Sequence, residues 1–192
     1  SGGSENHRVF TNFSYLNQEG ILIGNDYERI NGRINVNSQF TSKFSTSLTA
    51  SYIRTNNNQV NEDADIGNPL QMILLPPADA PDPENDYVLR VRSLEYNPQT
   101  EVFNSDYLEV ADRINSTLAM TYDFSGNLSL NVDGGIDFSD VTNERRQGPP
   151  TFEGRPNGLS RLSTSKTMNY IFNGYLSYNS VIGNSKISAI LG

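Results

Sequence analysis

The chain has no cysteine, no tryptophan and a single histidine in 192 residues. Without cysteine there is no disulfide framework and no thiolate metal site. One histidine leaves little room for a histidine-based triad or a histidine metal cluster. Basic residues are also scarce, 14 against 22 Asp and Glu, for a formal net charge of −8. That balance argues against a general nucleic-acid binder. No apolar run approaches the roughly 20 residues of a membrane-spanning helix. The opening Ser1-Gly2-Gly3-Ser4-Glu5 lacks the basic and apolar regions of a signal peptide, and no Met starts the chain. We therefore expect a piece of a longer protein. No nucleophile–base pairing and no glycine-rich phosphate loop appears, so neither enzymatic activity nor a cofactor is expected.

What is abundant is Asn, Ser, Thr, Tyr and Phe, a composition suited to strands. From Ile30 to Phe40 the even positions carry Ile30, Gly32, Ile34, Val36, Ser38 and Phe40; the odd ones carry Asn31, Arg33, Asn35, Asn37 and Gln39. Period-two segregation of this kind is a strand with one apolar and one polar face. After Thr41-Ser42-Lys43 the pattern restarts with Phe44, Thr46, Leu48, Ala50 and Tyr52. The two runs predict an antiparallel hairpin with a tight turn. The same alternation recurs over 113–124, 128–138 and 168–178, with shorter versions at about 7–17 and from Lys186 onward. About seven strands result, several of them longer than those usual in globular domains.

Alternation alone fits either a transmembrane β-barrel or a soluble β-sandwich. Three features favour the barrel. The polar face is Asn, Ser, Thr and Gln rather than Lys and Glu, which suits a water-filled lumen. Connections alternate between tight (41–43 and 125–127, with a short one at about 179–185) and long (about 18–27, 56–106 and 140–166), as they do with short periplasmic turns and long extracellular loops. Aromatics stand at both ends of the apolar face: Phe40, Phe44, Tyr122, Phe124 and Tyr178 near the short turns, and Tyr15, Tyr52, Phe138 and Tyr170 at the other end. The predicted fold class is all-β, an antiparallel transmembrane β-barrel segment, with residues 1–192 part of one outer-membrane barrel domain. Seven strands cannot close, because lipid does not tolerate open strand edges. The remaining strands are expected in the parent chain. The alternative is a soluble extracellular β-sandwich that binds glycans or adhesion partners; there Ile34, Val36, Leu48, Leu130 and Leu176 would form a dry core.

Several stretches, in order, resemble SusC/RagA-type TonB-linked outer-membrane transporters. They are Ser1-Gly2-Gly3-Ser4-Glu5-Asn6 before an aromatic strand, Gln18-Glu19-Gly20-Ile21-Leu22-Ile23-Gly24, and Tyr27-Glu28-Arg29-Ile30-Asn31-Gly32-Arg33-Ile34-Asn35-Val36. Ser51-Tyr52-Ile53-Arg54-Thr55-Asn56-Asn57-Asn58 is similar to the family's strand exit. Asn68-Pro69-Leu70-Gln71-Met72-Ile73-Leu74-Leu75-Pro76-Pro77 is similar to a short loop helix, and Tyr178-Asn179 through Ile187–Gly192 to a later hairpin. The resemblance implies a twenty-two-stranded barrel with an N-terminal plug, a SusD-like surface lipoprotein as partner, and energy from TonB through that absent N-terminal part. It also implies uptake of nutrients across the outer membrane of a Gram-negative type cell, with oligosaccharides the leading substrate and peptides the rival.

Candidate site residues follow from where the polar face and the long loops should lie. Arg29 and Arg33 should face the lumen, to pair with Asp133 or Asp137 or to meet an anionic group of a solute. Lumen-facing Tyr175 could stack on a sugar ring. Asn68 and Gln71, in the long 56–106 connection, are candidate contacts for substrate or lipoprotein, since loops of that length usually carry function. The acid-rich stretches 61–65 and 79–86 lack EF-hand spacing and read as solvated loop rather than as a calcium site. Arg145 and Arg146 read as solvated, and His7 has no evident partner.

Overall fold

A computed structural model describes residues 1–60, 90–91, 94–95, 98–183 and 185–192. Seven long strands are present: β2 (His7–Glu19), β3 (Asp26–Thr41), β4 (Phe44–Gln59), β7 (Ser105–Ser125), β8 (Leu128–Gln147), β9 (Leu159–Ile182) and β10 (Ser185–Leu191). A two-residue β1 (Gly2–Gly3) pairs with the start of β2, and β5 (Arg90–Val91) with β6 (Leu94–Glu95) forms a separate two-stranded ribbon. A short helix, Pro98–Phe103, leads into β7. The eight-stranded sheet has the order β1-β2-β3-β4-β7-β8-β9-β10, each strand antiparallel to the last. This is a pure meander. The short connections lie at one end of it and the long ones at the other. Neither edge of the sheet finds the other, so the barrel is open.

The strands run further than the alternation predicted. β8 continues to Gln147 and β9 begins at Leu159, so the connection expected at about 140–166 narrows to 148–158. Residues 140–147 read Asp-Val-Thr-Asn-Glu-Arg-Arg-Gln. They have no apolar parity to detect, yet their backbone ladder with β7 and β9 is unbroken. Hydrogen bonding, unlike burial, leaves no periodic signature in a sequence.

Register aligns every apolar set on one face. Val36 pairs with Leu48, Leu48 with Leu118, Leu118 with Gly134 and Gly134 with Phe172. The row next to it runs Ile34, Ala50, Ser116, Ile136 and Tyr170. Such rows recur down to Tyr122, Leu130 and Leu176, and β10 joins with Ile187, Ala189 and Leu191. The face is uncovered. Ile34, Ile114, Leu118, Ile136, Met168, Tyr170 and Phe172 are all exposed, and among the described residues the only fully buried side chain is that of Thr151. Among the described residues no second sheet packs on the apolar side, so Ile34, Val36, Leu48, Leu130 and Leu176 do not form there the dry core a sandwich requires.

Two boundaries delimit the apolar band. At the short-turn end the register shifts at Phe40 and Phe124, beside the tight turns. There Phe40 stacks on Phe44 (5.6 Å), His7 meets Phe40 edge-on (5.7 Å) and Tyr122 meets Phe124 edge-on (5.1 Å). At the other end one row of the same face reads Ile30, Arg54, Asp112, Asp140 and Lys166. Its charges pair off, Arg54 with Asp112 at 3.5 Å and Lys166 with Asp140 at 2.9 Å, and the Tyr52 hydroxyl donates to Asp112. From Ile114 to Phe124 ten steps of ~3.3 Å, tilted ~40°, rise ~25 Å, the height of a lipid-facing band.

Candidate functional site

The opposite face carries the odd residues of β3, β4, β7, β8 and β9 and is mainly polar, with Ile53, Val141 and Ile171 among its few apolar members. On the β7–β9 side it satisfies itself. Arg113 holds Asp137 through two charge-assisted bonds of 3.0 and 2.6 Å. Asn173 donates to Asp133 at 2.9 Å. Thr121 donates to Asn131 at 3.0 Å, Asn131 donates to Ser177 at 3.3 Å, and Ser129 and Ser177 lie 2.7 Å apart. The face is also level there, because Gly135 lets Thr117 and Ile171 close over its backbone; a Cβ at that position would stand 3.2 Å from each.

Arg29 and Arg33 lie on this face as expected, but they do not pair with Asp133 or Asp137. β4 and β7 stand between those strands, and each carboxylate is taken by a nearer donor, Asp137 by Arg113 and Asp133 by Asn173. The Arg33 guanidinium instead donates to Asn35 Oδ1 at 3.1 Å. Tyr175 is on the same face, opposite Asn131, towards the short-turn end. β4, β7 and β8 separate it from the two arginines, so these three candidates do not form one site. Asn68 and Gln71, the expected loop helix, and the acidic stretches 61–65 and 79–86 lie outside the described residues.

A second polar cluster, at the long-loop end, was not apparent from the sequence. Tyr107 on β7 pairs with Arg145 on β8. The Arg145 guanidinium sits 4.8 Å over the Tyr107 ring and donates to its hydroxyl at 3.0 Å. Gln147 Nε2 donates to the same hydroxyl at 2.8 Å. Arg145 also forms an ion pair with Glu153 of the 148–158 connection. From the other side Glu101, on the short helix, accepts the Phe152 backbone N–H at 2.6 Å. Thr151 Oγ1 donates to the Gly148 carbonyl at 2.7 Å and accepts from the Gly154 N–H at 3.0 Å. Gly154 has to be glycine, since a Cβ would stand 1.9 Å from the Gly148 carbonyl oxygen; Gly158 takes φ +88° where the chain re-enters β9. The connection is therefore tied at both ends, and Glu101, Gln147 and Thr151 are the buried polar residues among those described.

Arg145 is thus not solvated. Its side chain is half-buried, whereas that of Arg146 is exposed and pairs with Glu144. His7, likewise, has an aromatic neighbour in Phe40. Burial raises the Tyr107 pKa above its ordinary value, against the lowering influence of Arg145. The hydroxyl therefore stays protonated through the neutral range. Beside the cluster is a small cavity of about 60 Å³ lined by Asn58, Gln59, Glu101, Ser105, Asp106 and Tyr107, among others. It is roughly large enough for a pair of water molecules. No three His, Asp or Glu side chains among the described residues come together as a metal site would require.

Neither a protein-family profile nor a curated protein matches the sequence. Solved structures do match. The RagAB peptide importer in a "closed-closed" state superposes with a TM-score of 0.80 at 16% identity, covering 98% of this chain and 22% of that one. A structure of the RagAB peptide transporter, and the importer in an "open-open" state, each give a TM-score of 0.78 at 16% identity, with the same coverage. The chain spans about a fifth of the length of the structures it matches. Its fold is that of a segment of a RagA-type barrel wall: an all-β, antiparallel, unclosed sheet.

Proposed function

We propose that this chain is part of the barrel wall of a SusC/RagA-type, TonB-dependent outer-membrane importer. The observation that carries the reading is the registered apolar band. It is uncovered, about as tall as the lipid-facing band of a barrel, and bounded by aromatics at one end and by a row of paired charges at the other. Lipid would cover it, and the missing strands of the parent would close the sheet. The polar face then lines a water-filled lumen. A SusD-like surface lipoprotein would sit over the long-loop end, and TonB would act through a plug in another part of the parent chain. Similar agreement with the two differently named RagAB states fits a wall that stays fixed while other parts move.

For the cargo, a neutral oligosaccharide is the first reading, supported by a lining dominated by amides and hydroxyls, with Arg113 and Asp137 paired to each other. A peptide is the second, favoured by the likeness in fold to the RagAB peptide importer. Tyr175, Arg29 and Arg33, on the lumen side, and Asn68 and Gln71, in the long connection, are the residues we propose for contact with cargo or lipoprotein. The role is transport, with no bond in the cargo broken. Deleting the parent gene and growing cells on a neutral oligosaccharide or on a peptide mixture as sole carbon source tests both parts. Loss of growth on the oligosaccharide alone supports the first reading, loss on peptides alone the second. No growth defect on either would contradict nutrient import by this protein.

A further inference from the structure

We infer that the apolar face carries a seat for a single lipid: a groove at mid-height takes one acyl chain, and Lys166 takes the phosphate of that lipid's headgroup. The inference rests on the barrel reading and goes beyond it, from a band that lipid covers to one site where a particular lipid is held. The groove measures about 340 Å³ and lies on the apolar side of β7, β8 and β9. That is the lower end of the range for small-molecule sites. Gly134 and Ser116 form its floor, Leu118 and Met120 one side, Tyr170 and Phe172 the other. The missing strands of the parent would extend the sheet sideways, and a plug would lie against its polar face. Neither stands over this groove.

Glycine weakens the interior of a strand, and there it marks a bulge, a bend or the close approach of something else. The ladder of β8 with β7 and β9 runs through Gly134 without a register shift. Its φ lies outside the left-handed region, and a Cβ there would stand 3.6 and 3.8 Å from its nearest neighbours, an ordinary contact. The sheet itself does not need a glycine at this position; the glycine leaves the groove open. Depth chooses the occupant. Gly134 to Asp140 on β8, and Phe172 to Lys166 on β9, are each six residues, a rise of ~15 Å at the tilt of a barrel strand. One leaflet's half of a ~30 Å hydrocarbon core is as deep. A chain that ends in the groove therefore begins at the row of paired charges. There the cation stands outermost, the Lys166 side chain 65% exposed and that of Asp140 27%. The ammonium has three donors, so it keeps Asp140 at 2.9 Å and still meets a phosphate. A contact between two barrels would instead need a broad patch of about 800 Å² on each. Tyr170 and Phe172, largely exposed at the rim, make this surface a slot rather than a flat one.

The test uses the delipidated full-length protein in detergent, with bound lipid counted by native mass spectrometry. Two probes of equal chain length are compared, dimyristoyl phosphatidylglycerol and uncharged dimyristoyl glycerol. A single phosphatidylglycerol should be retained. The uncharged probe should bind roughly fivefold more weakly, and Lys166→Gln should bring phosphatidylglycerol down to that level. Gly134→Leu, which fills the groove, should weaken retention at least about tenfold. Ile34→Leu, on the same face but on β3, should leave it unchanged. Should Gly134→Leu fail to fold, Ser116→Leu fills the same groove from β7 and decides in its place. Retention that the filling variant does not change overturns the site, as does equal binding of the two probes. A protein that runs as a dimer until Gly134→Leu splits it would also overturn it, with a second copy as the occupant. A parent that enters no bilayer at all would contradict the barrel reading, and the site with it.

Discussion

At the short-turn end of the sheet, order comes largely from ring contacts, most of them between neighbours in sequence. Phe40 stacks on Phe44 across a two-residue turn, and Tyr122 meets Phe124 two residues on. At the long-loop end it comes from residues far apart: Glu101 holds Phe152, and Arg145 ties Tyr107 to Glu153. The aromatic end contains no buried polar side chain among the described residues, while the tied end contains Glu101, Gln147 and Thr151. Each end suits its expected surroundings. Aromatic rings settle at a membrane interface without specific partners. A loop standing in water has no lipid to order it, so it has to be pinned by hydrogen bonds that solvent cannot easily replace.

The largest effect expected from this contrast lies in the band between the two ends. Arg in place of Leu118, on the apolar face at mid-height, should cost about 2–4 kcal/mol and impair assembly of the full-length barrel. Asn35→Arg, on the polar face at a similar depth, should be tolerated. Folded yield read from the heat-modifiable band tests the pair; equal damage from both would remove the distinction between the faces.

At the tied end, Arg145→Ala should leave the barrel folded but release the 148–158 connection. It deletes a half-buried ion pair and a bond to Tyr107 and leaves Glu153 without its partner, a local loss of about 1–3 kcal/mol. Hydrogen exchange should quicken at Phe152 and Gly154 and stay slow along the β7–β8 ladder at the level of Leu118. If exchange at Phe152 did not change, Glu101 alone would be holding the loop.

Tyr107→Phe is milder, about 1 kcal/mol, because it removes a hydroxyl that only accepts from Arg145 and Gln147 in this cluster. It also bears on pH. The Tyr107 pKa is raised in the folded protein, so the contribution of its protonated form is fully present below the ordinary tyrosine pKa. That contribution is lost as pH rises through the raised folded value. Loop protection should therefore be flat across neutral pH and fall only in the alkaline range, and Tyr107→Phe should remove that dependence. A fall near pH 7 would contradict the assignment.

The smallest effect should come from the exposed pair at the upper edge of the band. Arg54→Ala should change stability by about 0–1 kcal/mol, since both partners reach solvent. Thermal unfolding of the full-length protein in detergent would measure it. A larger loss would mean that lipid covers this row.

The same contrast explains how much could be read from the sequence. Where a face is apolar, parity decides each residue's fate, so the Ile30–Phe40 and Leu128–Phe138 runs were legible as strands and both the meander and its open edges followed. Parity fades in residues 140–147, so alternation predicts a loop there although the ladder continues. The Tyr107 cluster was invisible for a different reason. Tyr107 and Arg145 are 38 residues apart and Glu101 and Phe152 51 apart, and nothing in the spacing of Tyr107, Arg145 and Glu153 encodes that they meet. Arg33 shows the intermediate case. Its face was predictable; its partner was not, because Asp137 had a nearer arginine in Arg113.

Ile171 and Phe172 test the central claim most directly. Both are apolar, adjacent and exposed, at 59% and 74%, yet register puts Phe172 on the lipid side and Ile171 on the lumen side. Composition cannot separate them; only the registered parity of β9 does. Spin labels placed singly at each position of the full-length protein in lipid bilayers would report their accessibility to oxygen and to a water-soluble nickel complex. The account predicts an oxygen-rich, nickel-poor environment at Phe172 and the reverse at Ile171. Two labels that both report lipid, or both report water, would contradict it.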